Sequence, residues 1–222
     1  MGGGTGDIAF RFINQVRQNS QFTALSNNND VICNASVVVS DINPDMLAVG
    51  QQRARELGLI QTPISNPIDN THHNQLPSNQ PHYNQPTISF KVANAEDLPF
   101  DDSTYDAYTI AFCIRNVTNI ELVLAESYRV LNKGGRFMCL EFSHVSNPIL
   151  NQLYNKYSEV VIPTLGQAIA NDRKSYEYLI QSIQKFPRQD EFAEMIKAAG
   201  FVGVSYVNLT GGICAIHSGF KL

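Results

Sequence analysis

The sequence has few charged residues and no concentration of basic ones. Its 16 Lys and Arg against 20 Asp and Glu leave a net charge of −4, and charged residues make up 16% of the 222 positions, against roughly 25% in an average soluble domain. Because no run of Lys and Arg occurs, a nucleic-acid-binding surface is not expected. No stretch of about 18 apolar residues is present either, so no membrane span is predicted. The 43% of apolar residues suffices for the core of one domain.

The cysteines give no sign of a disulfide framework or a zinc site. They lie far apart and none forms a C-x-x-C pair. Three of them stand within short apolar runs, which favours buried thiols in a reducing compartment. The four are Cys33, Cys113, Cys139 and Cys214.

Residues 60–87 differ in composition from the rest of the chain. Of these 28 residues, five are Asn, four are Gln and five are Pro, and three of the five histidines (His72, His73 and His82) lie there. Such a tract neither packs a core nor holds a helix. We interpret it as a disordered insert in a folded domain, since loop-closure entropy grows slowly with length. Incidental histidines in a polar tract are favoured over a metal site.

Apolar periodicity alternates between strand and helix along the chain, and turn residues separate the elements. This order predicts an α/β fold with a mostly parallel sheet, closed by an antiparallel hairpin around Thr210-Gly-Gly212. Asn43 and Asp190 are expected to cap the helices that follow them. Strands are predicted at 35–40, 88–93, 105–112, 136–142, 201–209 and 213–220, and helices at 7–17, 43–57, 120–131, 149–162, 176–185 and 191–199.

The glycines are concentrated at the start, where four of the 14 fall within the first six residues. Gly2-Gly-Gly-Thr-Gly6-Asp7 leads into a helix, so it predicts a loop for close backbone approach to a ligand. No Gly-Lys-Ser/Thr follows, which argues against a P-loop. Asp41, at the end of the next strand, suits any ligand with a ribose because a carboxylate accepts both hydroxyl protons. These residues alone also agree with a dinucleotide-binding site.

Polar residues also follow the later strands. Asn94-Ala-Glu-Asp97 comes after the strand at 88–93, and Arg115 and Asn116 come shortly after Phe112. In sheets of this kind ligands bind at the carboxyl ends of the strands, so these residues and Asp41 are expected at the ligand-binding edge. Asn94 and the neighbouring carboxylates supply polar groups suited to an adenine.

Six motifs in order resemble a known family. With the helix, glycine turn and strand of Tyr128–Phe137, they resemble the class I methyltransferases that use S-adenosylmethionine, and more narrowly the UbiE family, the C-methyltransferases of ubiquinone and menaquinone synthesis. Residues 41–46 and 212–217 are more similar to the mitochondrial ubiquinone branch. The motifs are Gly3-Gly-Thr-Gly-Asp-Ile-Ala9, Asp41-Ile-Asn-Pro-Asp-Met-Leu47, Asn94-Ala-Glu-Asp-Leu-Pro-Phe100, Ile114-Arg-Asn-Val-Thr118, Leu140-Glu-Phe-Ser143 and Ala170-Asn-Asp172.

The resemblance implies a set of cofactor contacts. For Asn94 and Ala95 the alternative is a simple Asx turn, and for Asp41 it is a helix cap, which Asn43 fits better. The resemblance implies one difference at Ala111, because bacterial members have there a Ser that contacts the cofactor, and alanine has no hydroxyl. The implied cofactor residues are Gly3, Gly4, Thr5, Gly6, Asp41, Asn94 and Ala95.

The resemblance also implies an acceptor site. Arg115 and Asn116 are the expected catalytic residues, with Arg115 orienting a water or stabilising a phenolate, since a guanidinium is a poor proton acceptor. An ion pair of Arg115 with Asp7 or Glu141 is the alternative. Asn171 and Asp172 are expected to line the acceptor pocket or to form a turn between helices. No metal ligand is predicted.

The resemblance further implies C-methylation of a polyprenyl benzoquinol in ubiquinone biosynthesis. It implies a peripheral protein on the matrix side of the mitochondrial inner membrane, in a multi-subunit complex with other ubiquinone-biosynthesis proteins. The apolar, aromatic region 149–183 is expected to cover the acceptor, touch the membrane or form core. Alternatives are a demethylmenaquinone methyltransferase, an NAD-dependent oxidoreductase and an inactive scaffold of the biosynthetic complex.

Family members also carry residues before the glycine loop, including the first strand of the sheet. We therefore expect residues 1–222 to be an N-terminally truncated single domain that lacks this strand. Without it, neighbouring strand edges would lose partners at about 1–3 kcal/mol for each buried group, so the chain alone is expected to fold poorly.

Overall fold

A computed structural model of the chain describes residues 1–27, 35–60, 86–147 and 171–222, with positions 151, 152, 154, 156, 163, 164 and 167. The described residues form two compact units. The N-terminal unit is Gly3–Val92, and the C-terminal unit is Met1–Gly2 with Ala93–Leu222.

The N-terminal unit contains two helices and a two-stranded parallel sheet. Helix α1 spans Asp7–Asn27, strand β1 Ser36–Asp41, helix α2 Pro44–Glu56 and strand β2 Thr87–Val92. Strand β1 pairs with β2 alone among the described strands. One apolar cluster holds the unit together, formed by Phe10, Ile13, Val39, Leu47, Ala54, Leu59 and Ile88.

The helix starts of this unit follow from local chemistry. Oδ1 of Asn43 accepts hydrogen bonds from the backbone N of Asp45 at 2.9 Å and of Met46 at 3.3 Å, and Pro44 stands at the first helical position. The predicted Asn43 cap is therefore confirmed. Helix α1 continues ten residues beyond the predicted end at Arg17. The apolar spacing weakens after Val16, but no Gly or Pro follows to stop the helix.

The C-terminal unit is built on a four-stranded sheet in the order β3-β4-β6-β5. Strands β3 and β4 are parallel, and β6 is antiparallel to both β4 and β5. This arrangement confirms an α/β fold that ends in an antiparallel hairpin. The elements are β3 Tyr105–Ala111, a 3₁₀ turn Ile114–Asn116, α3 Ile120–Val130, β4 Leu131–Phe142, α4 Arg173–Lys185, α5 Gln189–Ala198, β5 Val202–Leu209, a 3₁₀ turn Thr210–Gly212 and β6 Cys214–Phe220.

Three predicted element starts in this unit are wrong by two residues or more. Helix α4 begins at Arg173 rather than at 176, because Asp172 caps it there. Strand β4 begins at Leu131 rather than at 136, because Leu131 pairs with Tyr105 and the glycine turn bonds to the backbone of Lys221. Helix α5 begins at Gln189, and Asp190 is not its cap. Oδ1 of Asp190 accepts the Tyr206 hydroxyl at 2.7 Å, while the carboxylate of Glu191 accepts the backbone N of Arg188.

Alternate residues of β4 enter the core of the C-terminal unit. Phe137, Cys139 and Glu141 are each at most 1% exposed. Aromatic rings of three elements meet there, since the ring centroids of Phe137 and Phe201 lie 5.1 Å apart and Phe192 packs 4.9 Å from His217. A buried carboxylate in such a setting requires a partner.

Several predictions concern positions outside the described residues. The insert at 60–87 is described only at its ends, and Cys33 and the three histidines of the insert are not described. The helix expected at 149–162 is described at four positions, all of them helical. The single-domain prediction stays a prediction. No helix among the described residues is long and apolar enough to cross a membrane.

His217 should make the fold sensitive to acid. It is 2% exposed, with Nε2 at 2.9 Å from the carbonyl O of Gln189. Burial lowers the pKa of His217, although the Gln189 carbonyl and Asp190 oppose this shift. Below about pH 6.5 the unfolded chain therefore binds a proton that the folded protein does not. The free energy of unfolding should fall from pH 7 to pH 5.5, by at most about 1.4 kcal/mol per pH unit from this group.

Urea unfolding of the full protein at several pH values measures this slope. The variant His217→Gln keeps a donor near Gln189 but does not titrate, so its slope should be smaller than that of the unsubstituted protein. Equal slopes in the two proteins would contradict the assignment.

Candidate functional site

The glycine loop turns sharply just before α1, and its backbone bonds to the end of β1. The backbone N of Gly3 donates to Ser40 O at 2.8 Å, and that of Gly6 donates to Gly3 O at 2.8 Å. Gly6 has φ of +88°, and a Cβ there would lie 2.6 Å from Cζ of Phe10. Only glycine fits this position, so the loop shape depends on it.

Asp41 holds the loop against the end of β1. Its Oδ2 accepts the backbone N of Gly4 at 2.9 Å, and its Oδ1 accepts the backbone N of Asn43 at 3.0 Å. A carboxylate has about four acceptor positions, so each oxygen keeps capacity for a further donor. Asp41 does not cap α2, because Asn43 does.

Arg53, which the sequence did not indicate, joins α2 to the start of α1. Its Nη1 donates to Oγ1 of Thr5 at 2.9 Å, and its Nη2 lies 2.7 Å from Oδ1 of Asp7. Oγ1 of Thr5 in turn donates to Asp7 at 2.8 Å. The bond from Arg53 holds the pKa of Asp7 at about 2. Asp7 is thus the partner of Arg53, and Thr5 lies within their hydrogen-bonded group.

Helix α2 approaches the loop closely at Gly50. A Cβ at Gly50 would lie 3.0 Å from the Phe90 ring and 3.3 Å from Gly4 O. The helix therefore supports the loop backbone directly, which a larger residue would push away.

After β2, Asn94 to Glu96 form a turn that is hydrogen-bonded to the start of α3. Oδ1 of Asn94 accepts the backbone N of Glu96 at 3.1 Å, which is an Asx turn. Oε1 of Glu96 accepts the backbone N of both Thr118 and Asn119. Asn94 is exposed, whereas Ala95 is 4% exposed within the core.

Arg115 pairs with Glu141 below the surface of the C-terminal unit. Nη1 lies 2.8 Å from Oε1 of Glu141 and 2.8 Å from Phe112 O, with side chains 10% and 2% exposed for Arg115 and Glu141. The guanidinium lies 5.2 Å from the centroid of the Phe142 ring. Burial raises the pKa of Glu141, and the charge of Arg115 opposes this rise. Of the two predicted alternatives for an ion pair, the partner is Glu141.

Asn116 contacts helix α4. The hydroxyl of Tyr178, which is 57% exposed, donates to Oδ1 of Asn116 at 3.2 Å. That bond directs the amide oxygen towards Tyr178 and leaves the amide N–H groups as donors. The aromatic spacing of residues 149–183 indicated an aromatic surface, but it did not distinguish Tyr178 from its neighbours.

Asn171 and Asp172 lie at the start of α4. Asp172 caps the helix, accepting the backbone N of Ser175 at 3.1 Å. Asn171 has a left-handed φ of +52°, and its side chain accepts a bond from Gln167 at 2.7 Å. Both residues belong to a turn before a helix, and their acceptor role stays a prediction.

The fold is that of the S-adenosylmethionine-dependent class I methyltransferases. A solved SAM-dependent methyltransferase from Methanosarcina mazei matches all of this chain and 90% of its own, with a TM-score of 0.55 at 18% identity. A likeness at this identity establishes the fold alone.

Closer relatives define the family. The chain belongs to the ubiE/COQ5 methyltransferase family, whose profile matches residues 1–221. It is 47% identical to the mitochondrial 2-methoxy-6-polyprenyl-1,4-benzoquinol methylase of Gallus gallus, over 99% of this chain and 69% of that protein. It is 48% identical to the ubiquinone/menaquinone biosynthesis C-methyltransferase UbiE of Bartonella tribocorum, over 99% and 69%. The predicted family and the predicted cofactor, S-adenosylmethionine, are confirmed.

The chain spans about two-thirds of the length of these relatives. The share ranges from 64% of the Bos taurus protein to 70% of the Xenopus laevis protein. The roles of the individual site residues stay predictions, because a family match does not assign them.

Asp41 should govern cofactor affinity. In Asp41→Asn an amide N–H would face the backbone N–H of Gly4 or Asn43, and the charge would be lost. Bonds to charged groups contribute about 1.5–3 kcal/mol, so the affinity for S-adenosylmethionine should fall about 10- to 100-fold. Calorimetric titration of the full protein measures the dissociation constant.

Asp45→Asn is the matched control, since Asp45 is exposed in the first turn of the neighbouring helix α2 and is bound to neither the loop nor β1. Its affinity should stay within about twofold of the unsubstituted protein. A loss of equal size in both variants, or in neither, would exclude the assigned role of Asp41.

Proposed function

We propose that this protein transfers a methyl group from S-adenosylmethionine to a ring carbon of a polyprenyl benzoquinol in ubiquinone biosynthesis. The proposal rests on the similarity of nearly the whole chain to proteins named as 2-methoxy-6-polyprenyl-1,4-benzoquinol methylases. The buried Arg115–Glu141 pair beside Asn116 supplies a candidate acceptor site.

The residues of the glycine loop fit a nucleoside-bearing ligand. Gly3, Gly4, Thr5 and Gly6 would approach it through their backbone, and Asp41 would accept its ribose hydroxyl protons with the positions that Gly4 and Asn43 leave open. Asn94 and the backbone of Ala95 are proposed to contact the adenine. When bound, S-adenosylmethionine supplies an electrophilic methyl group on a positively charged sulfur.

Arg115 and Asn116 are proposed to activate the acceptor. Carbon methylation requires a ring hydroxyl to lose its proton, so that the oxyanion directs electron density to the ring carbon. The methylated carbon then loses its own proton while the oxygen regains one, which restores the aromatic hydroquinone. The guanidinium of Arg115 and the amide N–H of Asn116 are suited to stabilise that oxyanion. Water is the proposed proton acceptor, because a guanidinium keeps its proton. Asn171 and Asp172 are proposed to line the acceptor pocket beside α4.

The acceptor's polyprenyl tail would require access to lipid. We extend the proposal to a peripheral position on the matrix side of the mitochondrial inner membrane, within a complex of ubiquinone-biosynthesis proteins. Its support is that relatives are named mitochondrial and that α1 exposes the apolar side chains of Ile8 and Phe12 by 51% and 50%.

A methylation assay tests the function. The full protein is incubated with S-adenosylmethionine and either a short-chain 2-methoxy-6-polyprenyl-1,4-benzoquinol or a demethylmenaquinol. We expect methylation of the benzoquinol with at least about tenfold higher kcat/KM, equivalent to about 1.4 kcal/mol of discrimination. Preference for the naphthoquinol would favour menaquinone synthesis, and cofactor binding without turnover of either would favour a scaffold.

Arg115→Lys tests the acceptor site without leaving Glu141 as a buried unpaired charge. Lysine keeps the positive charge but loses the planar donor geometry. We expect kcat to fall about 10²- to 10³-fold, as for loss of an oxyanion donor, with little change in cofactor affinity.

Arg129→Lys is the matched control, since Arg129 also pairs with acidic residues in the C-terminal unit. Arg129→Lys should lower the melting temperature of the protein while leaving kcat close to that of the unsubstituted protein. An unchanged kcat in Arg115→Lys would contradict the role of Arg115.

A further inference from the structure

Glu141 is buried at the carboxyl end of β4, and Arg115 is its single charged partner in the part of the chain that the structure describes. Its Oε1 accepts Nη1 of Arg115 and the backbone N of Phe142, each at 2.8 Å, and its Oε2 lies 3.4 Å from the backbone N of Arg115. The residue is 1% exposed. Removing a carboxylate from water to this extent is costly, and a buried ion pair often stabilises a fold no better than apolar residues of the same size. Stability alone therefore does not account for the pair.

The second ion-paired arginine of the unit shows what a structural arginine does here. Arg129 makes five hydrogen bonds from its guanidinium, one for each N–H group, to Glu126, Asp102 and the carbonyl oxygens of Leu98 and Phe100. All of its donors are used within the protein, and they join α3 to the loop before β3.

Within the described ranges, the guanidinium of Arg115 is bound through one of its nitrogens. Both described bonds of its guanidinium leave from Nη1, to Phe112 O and Glu141. Among the described residues nothing accepts a bond from Nη2, and Nε is buried without a partner. The two N–H groups of Nη2 thus stay available to a ligand, and the buried N–H group of Nε makes no bond, which is unusual for a buried cation.

The backbone beside Arg115 is strained in a way that serves the same contact. Phe112 has φ of +52°, which costs a residue other than glycine about 1–3 kcal/mol. The strain is held by the bond from its backbone N to Leu140 O and by the Phe112–Phe142 ring contact at 4.8 Å. In this conformation the carbonyl of Phe112 accepts Nη1 of Arg115.

We infer that Glu141 is a positioning residue for the acceptor step: with Phe112 O it fixes Nη1 of Arg115, so that the two N–H groups of Nη2 are held for the oxyanion of the quinol ring. The inference rests on the proposed function. Glu141 itself does not touch the acceptor, and it acts through Arg115.

The test compares Glu141→Gln with Glu126→Gln in the full protein. Both remove the charge of an arginine-bound glutamate and keep an acceptor oxygen, but only Glu141 holds a guanidinium with unused donors. A neutral acceptor holds a guanidinium less strongly. A misplacement of about 1 Å can cost 10²-fold in rate, so kcat of Glu141→Gln should fall about 10- to 100-fold. The KM for S-adenosylmethionine and its calorimetric affinity should stay within about twofold. The calorimetric stoichiometry should stay unchanged as well, since a loss of folded protein would lower the stoichiometry together with kcat.

Two further variants separate positioning from folding. Glu141→Asp keeps the charge with a shorter side chain and should recover part of kcat. Adding Glu141→Gln to Arg115→Lys should lower kcat by less than about threefold, since the residue through which Glu141 acts is already altered.

The outcomes are distinct. If the unsubstituted protein methylates the quinol and Glu141→Gln lowers kcat no more than Glu126→Gln, the inference is wrong while the function stands. If Glu141→Gln lowers kcat by the same factor in the Arg115→Lys protein as in the unsubstituted protein, Glu141 acts by another route and the inference is also wrong. If the unsubstituted protein methylates no quinol, the proposed function fails first.

Discussion

The buried ion pair of Arg115 and Glu141 is the constraint on which the C-terminal unit's functional end depends. A carboxylate that is 1% exposed needs a charged partner, and the guanidinium that provides it is held through one nitrogen. Strand β4 places Glu141 in the core, and the left-handed backbone of Phe112 turns a carbonyl onto the same nitrogen. Positive charge is thereby fixed at the carboxyl ends of β3 and β4, where such folds bind ligands.

The N-terminal unit uses a carboxylate differently. Asp41 is only partly buried, and it binds the backbone of the glycine loop and of α2 rather than a cation. The loop shape, the close approach of α2 at Gly50 and the Arg53–Asp7 pair all support one backbone conformation. The unit thus holds a closely approachable glycine backbone and one carboxylate with unused acceptor positions in place, which suits a ligand that carries a ribose.

Much of the fold follows from local patterns in the sequence. The Asn43-Pro44 start of α2 and the hairpin around Thr210–Gly212 were predictable, because capping and turn chemistry act within a few residues. Helix α1 was predicted too short because the apolar spacing weakens in its polar second half. The helix nevertheless continues, since no residue there ends a helix. The start of α5 was misplaced since Asp190 bonds Tyr206, a contact across elements.

The candidate site was predictable in its residue types but not in its pairings. The motifs identified Asp41, Asn94 and Arg115, whereas nothing in the spacing of residues distinguished Glu141 from Asp7 as the partner of Arg115. No sequence pattern indicated Arg53, because its contact with Thr5 forms only when α2 packs against the glycine loop. Contacts between distant residues depend on the completed fold, which single-sequence patterns do not encode.

The most direct test of the central claim follows the methyl group itself. The full protein is supplied with S-adenosylmethionine labelled at its methyl carbon and with a short-chain 2-methoxy-6-polyprenyl-1,4-benzoquinol, and the product is examined by NMR. A label bonded to a ring carbon, absent from the Arg115→Lys product at equal reaction times, is the predicted result. A label on a ring oxygen, or no transfer although the cofactor binds, would contradict carbon methylation by this protein.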